Sequence, residues 1–447
     1  MKRIWTIVAV FCATLTLQAR RPNVILIMTD QQAAKAVGYA GNPDVRTPAM
    51  DRIAAHGIRF ENAYCSFPLS GPSRAAMFTG LFAGESGVDI NEMPLPPALR
   101  DSTLGQLVSA AGYDCAYAGK WHVNTISLPA DQAFGFRNLK GNGDEGLAEA
   151  AVAYLREKHN RPFFLVVSYT NPHNICEFAR GQKPPMADIG PRPPIEACPN
   201  LPSNFAVAPY DAAVLQFEKS QSYSLYPTMD YSPNDWRQYL YAYYRLVEAV
   251  DAQIGMIVDE LDLQDLWKDS VIIFTSDHGD GMAAHHWNQK TVLYEESACV
   301  PVVICLPGGK HAGTSTDALF NNGVDLMPSV CDWTGATMPS GRSGKSIRAV
   351  LEEGEASQDF IVTETNFKQT AGSYGWMVRT SRYKYVLYDK GPYREQLYDM
   401  ENDRGEMRNL AIESRYEGIV KEHRDILRRW LEEHPGPERW LHRRFIP

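Results

Sequence analysis

The sequence predicts an α/β fold in which helices flank a large, mostly parallel central sheet. Three observations indicate this class. Four short segments, 24–28, 163–167, 271–274 and 300–306, are continuously apolar and rich in Val, Ile and Phe, as strands buried on both faces are. Helical patterns lie between them, and 447 residues with 44% hydrophobic content suffice to bury a large core. In such sheets, ligands bind beyond the carboxyl ends of the strands.

Two helices are predicted most clearly. The first follows Thr103, a common N-cap residue, and ends near Gly112, which suits the left-handed backbone that often follows a helix. The second begins at Ser232 with Pro233 in its first turn, and its apolar residues recur every three or four positions as far as Leu261. Between the second strand and this helix, residues 177–234 carry many prolines and little periodicity, which predicts a long surface insertion.

The C-terminal part of the chain has a different pattern. Alternating, aromatic-rich segments predict strands at 360–363, 374–379 and 383–388, and a helical pattern follows at 415–431. This pattern indicates a smaller antiparallel sheet with a helix. We therefore expect a catalytic domain over residues 20–355 and a C-terminal subdomain over 356–447.

The first nineteen residues resemble an export signal. A charged start precedes a short apolar run and a small residue at Ala19, and the run is too short to span a membrane comfortably. Residues 1–19 are therefore predicted to be a secretory signal peptide, and no later segment resembles a transmembrane anchor. We expect an exported protein, periplasmic or extracellular.

Charge and cysteine content narrow the possible partners. The formal net charge of −9 disfavours a general nucleic-acid surface, so an anionic substrate would need a local pocket of positive charge. None of the eight cysteines has the spacing of a metal site. Cys176 and Cys198 flank a Pro-rich stretch and could pair in an oxidising compartment, which the sequence leaves open.

Polar side chains follow three of the predicted strands. Asp30 and Gln31 follow the first, His173 follows the second, and Asp277 and His278 follow the third. Because buried parallel strands end at one edge of a sheet, we expect these groups to lie close together. Carboxylate and amide oxygens suit Ca²⁺ or Mg²⁺, and His278 adds a nitrogen ligand.

Five motifs then occur in a fixed order along the chain. They are Asp30-Gln31, Ser70 with Pro72 and Arg74, Gly119-Lys120-Trp121-His122, Asn171-Pro172-His173, and Asp277-His278-Gly279-Asp280 followed by His285 and Lys290. This set resembles the type I, formylglycine-dependent sulfatases of the alkaline phosphatase superfamily, in its serine-type bacterial form. Segments 379–385 and 396–410 are similar to the C-terminal subdomain of that family. The resemblance implies an alkaline-phosphatase-like sandwich.

The resemblance also implies a mechanism. Ser70 would be oxidised to formylglycine, whose hydrated form attacks sulfur before the covalent intermediate collapses by elimination. Arg74 would orient its hydroxyls, while Lys120, Lys290 and a cation would offset the charge of the sulfate oxygens.

Further roles are implied for the histidines and the metal ligands. His122 would act as base and His173 as acid, and His285 would contact substrate. The implied metal ligands are Asp30, Gln31, the modified Ser70, Asp277 and His278. The implied cation is Ca²⁺, with Mg²⁺ or Mn²⁺ possible because Gln31 removes one negative ligand. The implied partner is a radical maturase that works without oxygen.

Three functions are compatible with these residues. We expect a sulfatase acting on O-sulfated sugars of glycosaminoglycans, mucins or algal polysaccharides. The alternatives are a phosphonate monoester or phosphodiester hydrolase of the same superfamily, favoured by Gln31, and an inactive glycan-binding protein in which Ser70 stays unmodified.

Overall fold

The computed structural model describes residues 21–221, 227–367 and 372–436, so the predicted signal peptide at 1–19 lies outside the described residues. The strands are β1 Asn23–Asp30, β2 Ile58–Tyr64, β3 Asp114–Gly119, β4 Arg137–Lys140, β5 Phe163–Pro172, β6 Ser270–Ser276, β7 Val302–Cys305, β8 Thr314–Asn321, β9 Phe360–Asn366, β10 Tyr374–Thr380, β11 Tyr383–Tyr388 and β12 Glu395–Asp399. The helices are α1 Pro48–His56, α2 Ser70–Thr79, α3 Ala83–Ser86, α4 Pro97–Arg100, α5 Leu104–Ala110, α6 Leu147–Leu155, α7 Ile175–Ala179, α8 Ala213–Gln221, α9 Pro233–Leu263, α10 Glu295–Ala298, α11 Leu326–Thr334, α12 Arg348–Glu353 and α13 Glu417–Glu433.

Eight strands form the large sheet in the order β4-β3-β5-β1-β6-β7-β2-β8. Pairing is parallel from β4 through β6 and again between β2 and β8, and β7 alone runs antiparallel to both of its neighbours. The predicted α/β class with a mostly parallel sheet is confirmed. The smaller sheet, β12-β11-β10-β9, is antiparallel throughout.

Alternate residues of the central strands pack on opposite faces of the large sheet. On one face, Ile25 and Ile27 of β1 share a core with apolar residues of α1, α6 and α9. On the other face, Leu26 and Met28 of β1 share a core with residues of α2, α5 and α11. Because helices cover both faces, the central strands are apolar along their whole length, which explains the continuous runs in the sequence.

The helix predictions are confirmed in outline. α5 follows Thr103, and Gly112, two residues past its last helical residue, has a left-handed φ of 91°. α9 has Ser232 as its N-cap, and the Ser232 hydroxyl accepts a hydrogen bond from the backbone amide of Asp235 while the Asp235 carboxylate accepts from the amide of Ser232. This reciprocal pair satisfies two amide groups that a helix start otherwise leaves open.

The predicted insertion at 177–234 is more ordered than its composition indicated. It contains α8, and Ala212 and Leu215 are buried in a core with Trp287 and Tyr294. The segment therefore contributes to the interior as well as to the surface. The sequence missed this because the helix is short and its apolar face is narrow.

Two further expectations concern boundaries and cysteines. The predicted division between residues 355 and 356 falls between α12 and β9, and it stays a prediction. The pairing of Cys176 with Cys198, which the sequence left open, is not formed in the structure: the Cys176 sulfur faces Gln289, and that of Cys198 faces the carbonyl of Pro194. Within the described ranges, no helix is long and apolar enough to cross a membrane.

Candidate active site

Four neighbouring strands of the large sheet end at one edge, and each contributes a polar group there. In spatial order, Lys120 directly follows β3, His173 follows β5, Asp30 ends β1, and Asp277 follows β6. The register aligns these ends, since Ser168 of β5 pairs with Gly119 on one side and Met28 on the other. The expectation that these groups meet at one edge is confirmed.

Ser70 approaches this edge from the first turn of α2. All ten residues of α2 are buried, and Leu69 before it is extended, which turns the chain into the helix. Pro72 lies in the first turn, where its lack of an amide hydrogen leaves no helical bond unmade. The Ser70 hydroxyl lies 3.0 Å from His278 Nε2 and 3.4 Å from Asp30 Oδ1. Ser70 is therefore in contact with two of the predicted metal ligands.

Arg74, one turn further along α2, holds the two carboxylates in place. Its Nε donates to Asp277 Oδ2 at 2.8 Å, and its Nη2 donates to Asp30 Oδ2 at 2.9 Å. Nη1 donates to the Lys120 carbonyl and to the Ser168 hydroxyl. Every arm of this fully buried guanidinium is occupied, so Arg74 is a rigid spacer between groups from four strands.

Asp30 lies between two cations. Its Oδ2 is 2.7 Å from Lys120 Nζ in addition to its bond with Arg74. Burial by itself would raise the pKa of Asp30, but the neighbouring positive groups, Lys120 foremost, hold it well below its usual range. Burial lowers the pKa of Lys120, and Asp30 opposes that shift. Asp30 therefore stays ionised although it is excluded from water.

The geometry of His278 leaves one ring nitrogen available. Nδ1 lies 2.9 Å from the Gly279 carbonyl, which can only accept, so Nδ1 carries the hydrogen and Nε2 presents its lone pair toward Ser70. Ligand atoms of Asp30, Asp277 and His278 lie within 4.8 Å of one another. Two carboxylate oxygens and an imidazole lone pair converging at this spacing fit a divalent cation.

Gln31 lies beside this cluster with its amide held at both ends. Its Oε1 accepts from Lys290 Nζ at 2.7 Å, and its Nε2 donates to Asp280 Oδ2 at 2.7 Å. Its backbone amide donates to Asp277 Oδ1 at 3.1 Å. The structure thus brings Gln31 and Lys290 to the same edge as the other predicted residues.

His122 and His173 are both neutral in this environment. Burial, followed by the charge of Lys120, lowers the pKa of His122 to about 3, and its buried Nδ1 has no hydrogen-bond partner among the described residues. Burial, followed by the charges of Lys290 and Lys120, holds the pKa of His173 well below its usual range. A neutral imidazole with an open nitrogen is suited to accept a proton.

His285 is the one predicted site residue that the structure places elsewhere. It is fully buried, stacks on Tyr294 with ring centroids 4.2 Å apart, and its backbone amide donates to the Asn204 carbonyl. Its pKa is lowered to about 4 by burial, and the charged groups that act on it are Asp211, Lys384 and Asp403 rather than those around Ser70. The motif spacing placed His285 in the correct loop, but its side chain turns toward the C-terminal sheet.

Several residues with a place in the site were missed. Asp144 accepts hydrogen bonds from the backbone amides of Thr170 and Asn171 and from the Asn171 side chain, so it fixes the loop that carries His173. Ser168 receives the Arg74 guanidinium at 2.7 Å. Neither has a sequence signal, because each is defined by a contact with a residue far away in the chain.

Two models of known protein families match this chain. The sulfatase family model matches residues 22–336, and the model for the C-terminal region of N-sulphoglucosamine sulphohydrolase matches residues 283–433. The chain belongs to the sulfatase family. This family lies within the alkaline phosphatase superfamily, and its members are sulfuric ester hydrolases, so this sulfatase is an enzyme of that class.

Individual relatives of this sulfatase cover almost its whole length. It is 31% identical over 437 residues to a Delta 4,5-hexuronate-2-O-sulfatase of Bacteroides thetaiotaomicron, covering 93% of this chain and 90% of the relative. It is 27% identical over 441 residues to an ulvan-active sulfatase of Formosa agariphila, covering 90% and 79%. The solved structure of a 2-O glycosaminoglycan sulfatase superposes with a TM-score of 0.82 at 29% identity, covering 93% of each chain.

Proposed function

We propose that this sulfatase is exported and removes sulfate esters from sugars, using a formylglycine made from Ser70 and a divalent cation. One observation carries the proposal: Ser70, the first residue of a buried helix, lies within 3.4 Å of both Asp30 and His278, at an edge lined by lysines.

The residues present fit a divalent cation. Asp30, Gln31, Asp277 and His278 would hold it, with the modified residue 70 as a further ligand. Three cations, Arg74, Lys120 and Lys290, contact Asp30, Asp277 and Gln31. A bound divalent cation would add to this positive charge and make the site suited to an anionic substrate, even though the chain as a whole is acidic. When bound, the cation would supply electrostatic stabilisation of sulfate oxygens.

The side chains around residue 70 have distinct tasks in the proposed reaction. The formylglycine supplies, as its hydrate, the hydroxyl that attacks sulfur and the second hydroxyl whose deprotonation releases sulfate. Arg74 holds Asp30 and Asp277 at fixed separation, so the position of residue 70 relative to them does not drift. Lys120 and Lys290, which contact Asp30 and Gln31 in the structure, would turn to the sulfate oxygens.

Proton transfer falls to the two neutral histidines. His122, with its open Nδ1, would take the proton from the hydroxyl of residue 70. His173 would protonate the departing sugar oxygen. Because Lys290 and Lys120 lower the pKa of His173, the negative charge of a bound sulfate offsets their effect and favours the protonated form that an acid requires.

The substrate class is inferred from relatives. A Delta 4,5-hexuronate-2-O-sulfatase and an ulvan-active sulfatase are both similar to this chain over most of its length. We therefore propose a sulfated polysaccharide fragment as substrate, and a 2-O-sulfated hexuronate of a glycosaminoglycan disaccharide as the first compound to test. Export by the segment 1–19 and modification by a radical maturase complete the proposal.

Two measurements test it. Mass spectrometry of the peptide that contains residue 70 should find it lighter than serine by the two hydrogens that oxidation removes. Desulfation of a panel of sulfated mono- and disaccharides should then depend on that modified fraction. Turnover by a preparation with only unmodified Ser70 would refute the mechanism.

A phosphonate monoester or phosphodiester hydrolase is the second candidate, because Gln31 in place of an aspartate reduces the negative charge around the cation. Comparison of kcat/KM for an aryl sulfate, sulfated sugars and a phosphate diester separates the two. A marked preference for the diester would favour the second candidate over the first.

A further inference from the structure

Asp280 is a fully buried carboxylate that the proposed reaction leaves without a task. It directly follows Gly279 in the predicted metal-binding motif, and four donors contact its two oxygens. Oδ2 accepts from Gln31 Nε2 at 2.7 Å, from the Gln289 backbone amide at 3.1 Å and from the Tyr239 hydroxyl at 2.9 Å. Oδ1 accepts from the same hydroxyl and from the Met282 amide. Both oxygens are therefore saturated, by groups of the loops around the site and by Tyr239 of α9.

These contacts determine which way the Gln31 amide faces. A carboxylate can only accept and an ammonium can only donate, so the end of Gln31 bonded to Asp280 must be its nitrogen and the end bonded to Lys290 must be its oxygen. The oxygen is the end that a hard cation requires. Asp280 thus holds Gln31 in the orientation that makes it a usable ligand.

Asp280 also reaches the loop that carries Lys290. The peptide before Lys290 is held at both of its ends, because the Gln289 amide donates to Asp280 and the Gln289 carbonyl accepts from the Gly281 amide at 2.7 Å. Displacement of the Asp280 carboxylate would therefore release a predicted cation ligand and a predicted sulfate contact together.

An amide at position 31 and a carboxylate at position 280 can lie in close contact without electrostatic repulsion. If residue 31 were a carboxylate, two ionised groups would face each other at the distance that now separates Gln31 from Asp280, and burial would strengthen their repulsion. With an amide at 31 and a carboxylate at 280, the negative charge lies behind the ligand instead of on it. The two residues therefore act as a matched pair.

We propose that Asp280 is a positioning residue that orients the Gln31 oxygen toward the cation and fixes the loop of Lys290. The proposal rests on the cation site of the proposed function. Partners behind metal ligands typically contribute a factor of about 10 to 100 in metal affinity. Asp280 is expected to contribute on that scale.

Calorimetric titration of the exported chain, residues 20–447 stripped with a chelator, tests it with Ca²⁺, Mg²⁺ and Mn²⁺ in parallel. Asp280→Asn is expected to weaken binding about 10- to 100-fold. Gln31→Glu is expected to weaken binding as well, because its carboxylate would face that of Asp280. The double variant, which exchanges amide and carboxylate, should bind more tightly than the product of the two single losses, because the donor and acceptor of this contact are restored in reverse.

The matched control is Asp251→Asn. Asp251 on α9 is also buried and accepts two backbone amides, from Ala49 and Met50, but it has no contact with the cation cluster. This variant should lower the unfolding temperature and leave cation affinity unchanged. Unfolding temperatures of all variants, measured without metal, show whether each one is folded.

The possible results distinguish the role of Asp280 from the existence of the cation site. Wild-type affinity in folded Asp280→Asn, or strictly additive losses in the double variant, overturns the role of Asp280 while the cation site stands. Absence of binding to the wild-type chain overturns the cation site, and the positioning role with it. Weaker single variants with recovery in the double support the proposal, and kcat should recover in parallel once residue 70 is converted.

Discussion

Two buried clusters of charged residues in this molecule have similar compositions. They differ in whether all of their polar atoms have partners within the protein. One is the catalytic centre, where Arg74, Lys120 and Lys290 surround Asp30 and Asp277. The other, which we call the junction cluster, joins the large sheet to the C-terminal sheet. It consists of Tyr64, Glu295, Arg379, Lys384 and Glu406, all of them buried.

The junction cluster is closed on itself. Lys384 Nζ lies 2.7 Å from Glu406 Oε1 and 3.3 Å from Glu295 Oε2, and the Tyr64 hydroxyl donates to Glu295 while accepting from Arg379. Burial raises the pKa of Glu406 to about 8 despite Lys384, whereas the cations of the catalytic centre hold the pKa of Asp30 below its usual range.

This difference separates a structural ion cluster from a site. In the candidate active site, the buried His122 Nδ1 has no hydrogen-bond partner among the described residues, and the Ser70 hydroxyl and His278 Nε2 face each other where a cation would bind. In the junction cluster the carboxylates are satisfied by protein cations and hydroxyls. A group of buried titratable residues therefore indicates a functional site only when some of its polar atoms have no partner within the protein.

The comparison predicts its largest effect at Ser70. Ser70→Ala should abolish sulfate ester turnover, because the proposed nucleophile can no longer be made, while the free energy of unfolding changes little. Turnover by protein coexpressed with a maturase, together with chemical denaturation, checks both parts. Residual activity close to wild type would show that the nucleophile lies elsewhere.

A change in the junction cluster should show the reverse behaviour. Lys384→Met leaves Glu406 and Glu295 without their shared cation, and loss of one partner of a buried pair typically costs about 3 to 5 kcal/mol. The free energy of unfolding should fall on that scale, while kcat per folded molecule is retained. Denaturant titration with active-site counting measures the two quantities.

Lys290→Met is the matched change in the catalytic centre. Lys290 bonds to Gln31, whose nitrogen is held separately by Asp280, so the fold should tolerate its loss. Removal of one donor to a developing anion typically lowers kcat by a factor of about 10² to 10³. Steady-state kinetics should show this decrease, and a loss of stability as large as that of Lys384→Met would contradict the distinction between the clusters.

Glu364 extends the comparison to a buried carboxyl whose bonds come from neutral donors. It accepts from the Gly84 amide at 2.9 Å, and burial raises its pKa to about 8. The folded state therefore binds more protons than the unfolded state between the ordinary pKa of 4.5 and about 8, so stability falls as pH rises through this window.

Glu364→Gln should remove this contribution. The difference in unfolding free energy between variant and wild type should grow in favour of the variant by up to about 1.4 kcal/mol per pH unit across the window. Thermal or denaturant unfolding from pH 4.5 to pH 8.5 measures it. A pH-independent difference would mean that Glu364 is ionised in the folded protein.

The smallest effect is expected at His285. Since it stacks on Tyr294 away from Ser70, His285→Gln should lower stability by about 1 kcal/mol through lost ring contact and leave KM unchanged. A raised KM at unchanged stability would instead restore the predicted substrate contact.

The sequence was sufficient for the features that depend on local pattern. Continuous apolar runs identified the central strands, and residues directly after them, such as Asp30 and Asp277, were placed at one edge because parallel strands end together. The motif around Ser70 identified the residue that faces them, but it did not predict the helix that begins there.

Contacts between residues far apart in the chain could not be predicted from the sequence. His285 has the motif spacing, but its backbone at a φ of 52° turns the ring to the other side of the loop, and no linear pattern encodes that turn. Asp144 is defined by its contacts with Thr170 and Asn171, and the role of Asp280 depends on Gln31 and Tyr239, which are far away in the chain. The helix α8 was hidden in a Pro-rich segment because its burial depends on Trp287 and Tyr294.

Because α2 is completely buried, access to Ser70 depends on whether the chain has already folded. Residues 70–79 have no exposed member, and strands from distant parts of the chain close over Ser70. An enzyme that oxidises Ser70 therefore cannot reach it in the finished fold. If Ser70 is converted to formylglycine as proposed, the modification would be made on an extended chain, before the sheet assembles. The time between synthesis and folding would then limit how much of the protein becomes active.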